Sequence, residues 1–161
     1  MDPSFRHALE TDCDLLLDMM REYYAYDGHT FDAAKARGAL LAFLREPAFG
    51  LAWLISENML PVGYIVLTLG YSLEYLGRDA FIDEFYIRES HRGRGWGSRA
   101  LALVEQEARQ LGVRSIHLEV VRKNTGAKEV YRKNGYLDHE HYLMSKWIET
   151  GFAKPETGSH E

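Results

Sequence analysis

Eight residues, His91-Arg92-Gly93-Arg94-Gly95-Trp96-Gly97-Ser98, hold three glycines and two arginines between the strand-like run FIDEFYI and the helix-like run RALALVEQEARQ. A helix N-terminus carries about four unpaired N–H groups and a partial positive charge. Glycines let such amides converge closely on phosphate oxygens. The loop reads as a cradle for a dianion, pyrophosphate above all, with Arg92, Arg94 and the Ser98 hydroxyl as added donors. The other reading is a tight strand-to-helix turn with solvated arginines. FIDEFYI itself holds Asp83 and Glu84 in an otherwise apolar strand. Carboxylates in such a place are costly unless paired or used. Burial raises their pKa toward that of a general base. Strict alternation puts Phe81, Asp83, Phe85 and Ile87 on one face and Ile82, Glu84 and Tyr86 on the other.

Further on, Asn124, Ala127 and Tyr131 stand at i, i+3 and i+7, one face of a helix. Ala127 leaves room for a ligand, and Tyr131 offers a phenol that is still protonated at neutral pH. Asn124 reads as an N-cap, a role compatible with contacting a ligand.

Two phosphate motifs fail. A P-loop needs Gly-Lys-Ser/Thr after the glycines, which is absent. The third glycine of G-x-G-x-x-G is replaced by Ser98, and too little chain follows for a second nucleotide half, although Glu119 mimics the ribose-binding acid. What remains is R-x-x-G-x-G over Arg92–Gly97, preceded by FIDEFYI and followed by N-x-x-A-x-x-x-Y-x-x-x-G-Y over Asn124, Ala127, Tyr131, Gly135 and Tyr136. Three pieces in this order resemble the GNAT superfamily of N-acetyltransferases. FIDEFYI and the downstream tyrosine resemble its polyamine (spermidine/spermine-type) members.

The resemblance implies acetyl-CoA as co-substrate. It assigns the backbone of Phe85, Tyr86 and Ile87 to pantetheine, Arg92, Gly93, Arg94, Gly95, Trp96, Gly97 and Ser98 to pyrophosphate, and Asn124, Ala127 and Tyr131 to the cofactor's path. Trp96 departs from the small aliphatic residue usual there, and packing of the helix on the sheet is its expected role. In the family, catalytic side chains on this strand fall nine or eleven residues before the position of Arg92, which favours Asp83 over Glu84 as base. Tyr131 becomes the acid that protonates the departing sulfur. The function implied is acetyl transfer to a primary amine by direct attack in a ternary complex. The alternative is an acyl-CoA-binding sensor on the same fold.

The elements that must position these residues follow from periodicity. SFRHAL starts as a strand, and helices follow over DCDLLLDMMREYYAYD and from Asp32 to about Leu44. GLAWLIS and VGYIVLTLG make a hairpin through ENMLP, with a slightly long loop. Then come the connection 73–79, the strand 80–87, the helix after the glycine loop, the strand 115–121, a helix from Thr125 to Asn134, and one or two closing strands in YLDHEHYLMSKWI. The order gives a single-domain α/β fold over 1–149, a mixed, mostly antiparallel sheet with helices on both faces, and a disordered tail over 150–161.

The chain has 161 residues, 46% hydrophobic and 27% charged, with net charge −5. That excludes a basic nucleic-acid face and suits a small cationic amine. The lone Cys13 allows no internal disulfide, and no apolar run is long enough to span a membrane, so a cytoplasmic protein is expected. Tyr24 and Asp27 in an aromatic-acidic cluster, and Glu74 beside Tyr75, are candidate amine contacts. His139 and His141 lack a third ligand, so no metal is expected. Arg109, Arg114, Arg122, Lys123 and Lys128 are candidates for the adenosine 3′-phosphate. A homodimer is expected from the closing strands.

Overall fold

A computed structural model of the chain describes residues 2–141 and 143–148. The strands are β1 (Ser4–His7), β2 (Gly50–Glu57), β3 (Leu60–Ser72), β4 (Gly77–Ile87) and β5 (Val113–Leu118). The helices are α1 (Cys13–Tyr26), α2 (Ala33–Arg45), α3 (Trp96–Gln110) and α4 (Thr125–Lys133). The sheet runs β1-β2-β3-β4-β5. Its pairs are antiparallel except β4 with β5, which are parallel and joined by the α3 crossover.

Alternation along β2 and β3 builds two cores. Trp53, Ile55, Ile65 and Leu67 meet Trp96, Ala100, Leu101 and Val104 on the α3 face. Ala52, Leu54, Tyr64 and Val66 meet Leu16, Leu17 and Met19 on the α1 face. Both faces are covered, which is why these strands are apolar throughout. Asp32 caps α2, accepting from the amides of Ala34 and Lys35.

Three readings of the sequence change. The β2–β3 loop is tighter than expected: only Asn58 and Met59 separate the strands, both with positive φ (49° and 66°), the primed two-residue turn that matches strand twist. Strand β4 starts at Gly77, so the connection is only 73–76. No closing strand exists among the described residues after α4. Asp138-His139-Glu140-His141 offers no apolar side chain to alternate into a core, and Arg132 draws Asp138 to 2.7 Å beside α4. Tyr142 and the tail 150–161 lie outside the described residues.

Gly63 on β3 has no room for a side chain. A Cβ there would lie 2.4 Å from the Tyr86 carbonyl oxygen and 3.1 Å from Ile87 Cα, both backbone of β4. Gly63→Ala is expected to cost about 1–3 kcal/mol by forcing β3 and β4 apart. A lower urea midpoint at unchanged m-value would register it.

Candidate active site

The site begins with an irregularity in β4. Val66 pairs with Glu84 but Leu67 pairs with Ile82, so Asp83 is the extra residue of a β-bulge. The bulge reverses the parity of the strand. Ala80 and Ile82 belong to the α3-side core, where Phe85 and Ile87 also pack, whereas Tyr86 belongs to the α1-side core. The expected grouping of Asp83 with Phe81, Phe85 and Ile87, opposite Ile82 and Glu84, is therefore wrong. One inserted residue breaks the period of two.

At the same place β4 loses its outer neighbour. Pairing with β5 ends at Ile82 opposite Leu118, and residues 83–87 keep only β3. Arg88 donates its amide to the Val62 carbonyl. By antiparallel alternation the peptide groups of Tyr86 also face β3, while those of Phe85 and Ile87 face the open edge. Of the three residues expected to offer backbone there, Tyr86 does not.

The open edge leads to the glycine loop. Gly93 and Gly95 have φ of 75° and 78°, and Gly95 is the residue before α3. A side chain at either would meet nothing within 4 Å, so the left-handed backbone rather than crowding calls for glycine. The Arg92 amide closes a 3₁₀ turn onto Glu89, and the first α3 bond runs from the Arg99 amide to the Gly95 carbonyl. Trp96, Gly97 and Ser98 are thus the first-turn donors that a helix leaves unpaired. Among the described residues, no backbone carbonyl or side chain accepts from the amides of residues 93–95.

The arginines are engaged elsewhere. Arg92 donates Nε to the Ile87 carbonyl at 2.7 Å and lies over the Tyr26 ring at 4.4 Å. Arg94 binds Glu57 at 3.0 Å and the Ser90 carbonyl at 3.0 Å. They brace the loop, and the anion-binding capacity visible here is that of the amides. Trp96 is buried in the α3-side core, its expected packing role.

Helix α4 closes the far side. The Asn134 side chain donates to Ser98 Oγ at 2.9 Å, pinning α4 to the first turn of α3. Beside Gly97 lie Val130 of α4 and Phe85 of β4. Asn124 caps α4 by accepting from the Ala127 amide at 3.1 Å. The Tyr131 ring packs against Tyr136 at 5.8 Å, and burial raises its phenol above the ordinary value.

Asp83 forms no hydrogen bond or ion pair among the described residues. Surrounding protein raises its carboxyl by desolvation, although the side chain reaches solvent. Glu84 differs. It accepts from Tyr24 Oη at 3.1 Å and from Tyr64 Oη at 2.8 Å. Burial raises it most, the two phenols pull it down, and the charge of Asp83 pushes it up again. Tyr23 joins these groups. Its phenol is pushed up to about 12 by burial, then by Asp27, Glu84, Tyr131 and Asp83. The α1 tyrosines, both acids and Tyr131 therefore share one electrostatic neighbourhood at the end of the loop's strand. Asp27 belongs to it through Tyr23; Glu74 stands exposed on the β3–β4 turn with no link to it among the described residues.

The sequence reading missed Tyr64 and the clasp between Glu22 and Arg88. A tyrosine in a strand buried on both faces needs a partner for its hydroxyl, which is the signal that could have found Tyr64. Arg88 grips Glu22 through Nε at 2.9 Å and Nη2 at 2.7 Å, tying α1 to the end of β4. That hydrogen bonding, ahead of burial and simple attraction, holds the Glu22 carboxyl below the usual range. The clasp contributes above about pH 4.3, the unfolded value, and is lost as pH falls through the lower folded value. Arg88→Gln is expected to be less stable than wild type at pH 7, with the gap closing below about pH 4 as Glu22 protonates. Urea midpoints across pH test this.

A groove of about 770 Å³ lies elsewhere, lined by β5, the end of α3 and residues 134–139. It takes in Arg109 and Arg114. Arg109 is roughly 20 Å along α3 from the loop. Arg122 and Lys123, between β5 and α4, and Lys128, in the first turn of α4, are left as the candidates at the loop's end of the sheet. Among the described residues no group of three or more His, Cys, Asp or Glu could hold a metal ion, and no helix is long and apolar enough to cross a membrane.

A family model described as Acetyltransferase (GNAT) family matches residues 13–136. The chain belongs to that family. It is an acetyl-CoA-dependent N-acetyltransferase, and the open strand edge with its free amides fits the acyl donor the family uses. Over 143 residues it is 29% identical to thialysine N-epsilon-acetyltransferase of Bos taurus, covering 83% of each chain. Over 73 residues it is 36% identical to an uncharacterized N-acetyltransferase YycN of Bacillus subtilis, an alignment spanning 45% of this chain and 46% of that one. Among solved structures, the integron cassette protein HFX_CASS3 from the mobile metagenome of Cole Harbour Salt Marsh superposes with TM-score 0.82 at 36% identity, covering 91% of both chains. A predicted acetyltransferase with acetyl-CoA from Clostridium acetobutylicum shares the fold at TM-score 0.77 and 18% identity, over 93% of this acetyltransferase and 99% of that chain.

Proposed function

We propose that this acetyltransferase transfers acetyl to the primary amine of a small cationic molecule by direct attack in a ternary complex. The observation that carries the reading is the bulge at Asp83. It sits where the β4 edge opens toward the loop amides, beside an acidic and aromatic neighbourhood suited to an ammonium group. Acetyl-CoA supplies an activated acyl group as its thioester. The amides of residues 93–98 bind the pyrophosphate, and the outward N–H and C=O of Phe85, with the N–H of Ile87 whose carbonyl Arg92 occupies, align the pantetheine.

An alkyl amine of pKa near 10 arrives protonated and must lose a proton to attack. Asp83 is the base: among the described residues it has no hydrogen-bond or ion-pair partner, and desolvation raises its affinity for a proton. Glu84, held by the hydroxyls of Tyr24 and Tyr64, stands next to it. Tyr131 donates a proton to the departing sulfur. The lone thiol, Cys13, is buried at the first turn of α1, roughly 16 Å along the helix from Tyr24 beside Glu84, which supports transfer without an acyl-cysteine. The names of relatives that act on thialysine and the acidic balance of the chain both support a small cationic acceptor.

One catalytic domain over 1–149, a homodimer and a cytoplasmic location complete the reading. The outer edge of β5 pairs with no strand among the described residues, and Leu137, Leu143, Met144 and Ile148 beyond it are exposed, which supports a second copy covering them. Free-thiol release from acetyl-CoA with a panel of amines tests the function. Release is expected with small di- or polycationic amines. Tight acetyl-CoA binding without release across the panel would favour a sensor instead.

A further inference from the structure

We propose that Tyr64 and Tyr24 are positioning residues that hold Glu84 as a fixed anionic anchor for the acceptor's ammonium group. The proposal rests on the acetyltransfer reading above. Each carboxylate oxygen of Glu84 takes one phenol: Oε1 from Tyr24 at 3.1 Å, Oε2 from Tyr64 at 2.8 Å. The two donors come from different elements, α1 and β3, so the clamp spans the cleft wall. Tyr64 is fully buried, with its ring 6.3 Å from that of Tyr86, and cannot swing away. Tyr24 is wedged edge-on against Tyr23 at 5.7 Å and Phe31 at 5.3 Å.

A carboxylate has about four lone-pair sites. Two are filled, leaving the others for a charged donor. The rings of Tyr23 and Phe31 pack against that of Tyr24, and aromatic rings attract ammonium groups. The ionisable groups around Glu84 are Asp83 on its own strand, Tyr64 on β3, and Tyr23 and Tyr24 on α1. Asp27 and Tyr131 reach this group only through Tyr23. No cation is among them, so the ionised form of Glu84 depends on the two hydroxyls against burial and the charge of Asp83. Each hydroxyl that is lost makes ionisation harder and frees the side chain to rotate.

Tyr24→Phe and Tyr64→Phe keep the rings and remove only the donors. Each is expected to raise the amine KM about tenfold, equivalent to ~1.4 kcal/mol, with little change in kcat or in the acetyl-CoA KM. The acid limb of kcat/KM for the amine should move to higher pH in both. A purely structural role would lower the melting temperature and leave that limb where it is. Folded variants with unchanged amine KM and an unmoved limb overturn the proposal. If Tyr64→Phe does not fold, Tyr24→Phe decides alone. If wild type releases no thiol with any amine, the acetyltransfer reading fails separately. The clamp is then judged on the free protein by the ¹³C titration of the Glu84 carboxyl, assigned with Glu84→Gln. Its midpoint must rise in Tyr24→Phe, and an unchanged midpoint overturns the clamp as well.

Discussion

Tyr131→Phe is expected to lower kcat by about 10²-fold or more, the usual scale for a lost general acid, while the affinity for acetyl-CoA stays nearly intact. The ring remains on Tyr136 and the α3-side core, so the fold and the loop beside it are undisturbed. Only the hydroxyl goes, and with it the proton for the departing sulfur. Burial raises this phenol, which keeps it protonated across the working pH range. The basic limb of the wild-type kcat profile should therefore lie above pH 10, the ordinary phenol value. Stopped-flow or steady-state thiol release, paired with calorimetric titration of acetyl-CoA, separates the two effects. Unchanged turnover would remove Tyr131 from the chemistry.

Asp83→Asn is expected to be comparably severe, with kcat/KM for the amine down about 10²–10³-fold. An amide is close in size to the carboxyl, and Asp83 supports no hydrogen bond or ion pair among the described residues, so stability should hardly change. The residual rate should rise with pH as free amine becomes available in bulk solution, because the enzyme no longer removes the proton itself. A normal rate and an unmoved profile would instead place the base on Glu84. The same substitution removes a negative charge next to Glu84 and lets that carboxyl ionise more readily. A rise in amine KM alone, at constant kcat, would mean that Asp83 only attracts the substrate.

The parts of this acetyltransferase that depend on local sequence were legible from it. The glycines needed for positive φ before α3 and the cap at Asn124 are matters of nearest neighbours. The order of strands and helices implied a sheet covered on both sides, and that sheet was found. The closing strands were misread because an apolar run such as YLMSKWI satisfies strand propensity whether or not a partner edge is available.

Tertiary structure decided the rest, because it concerns groups far apart in the chain. A bulge depends on the register of two strands, so nothing in FIDEFYI announces that Asp83 is the inserted residue or that Glu84 faces α1. The arginines of the loop were read as phosphate ligands from their charge, yet their partners, Ile87, Tyr26 and Glu57, arrive from three other segments. Tyr64 lies 20 positions from Glu84, and Tyr24 lies 60. Composition determined that this chain has acids and phenols to move protons and anchor a cation. Strand register and the packing of α1 determined which acid stands free and which is held.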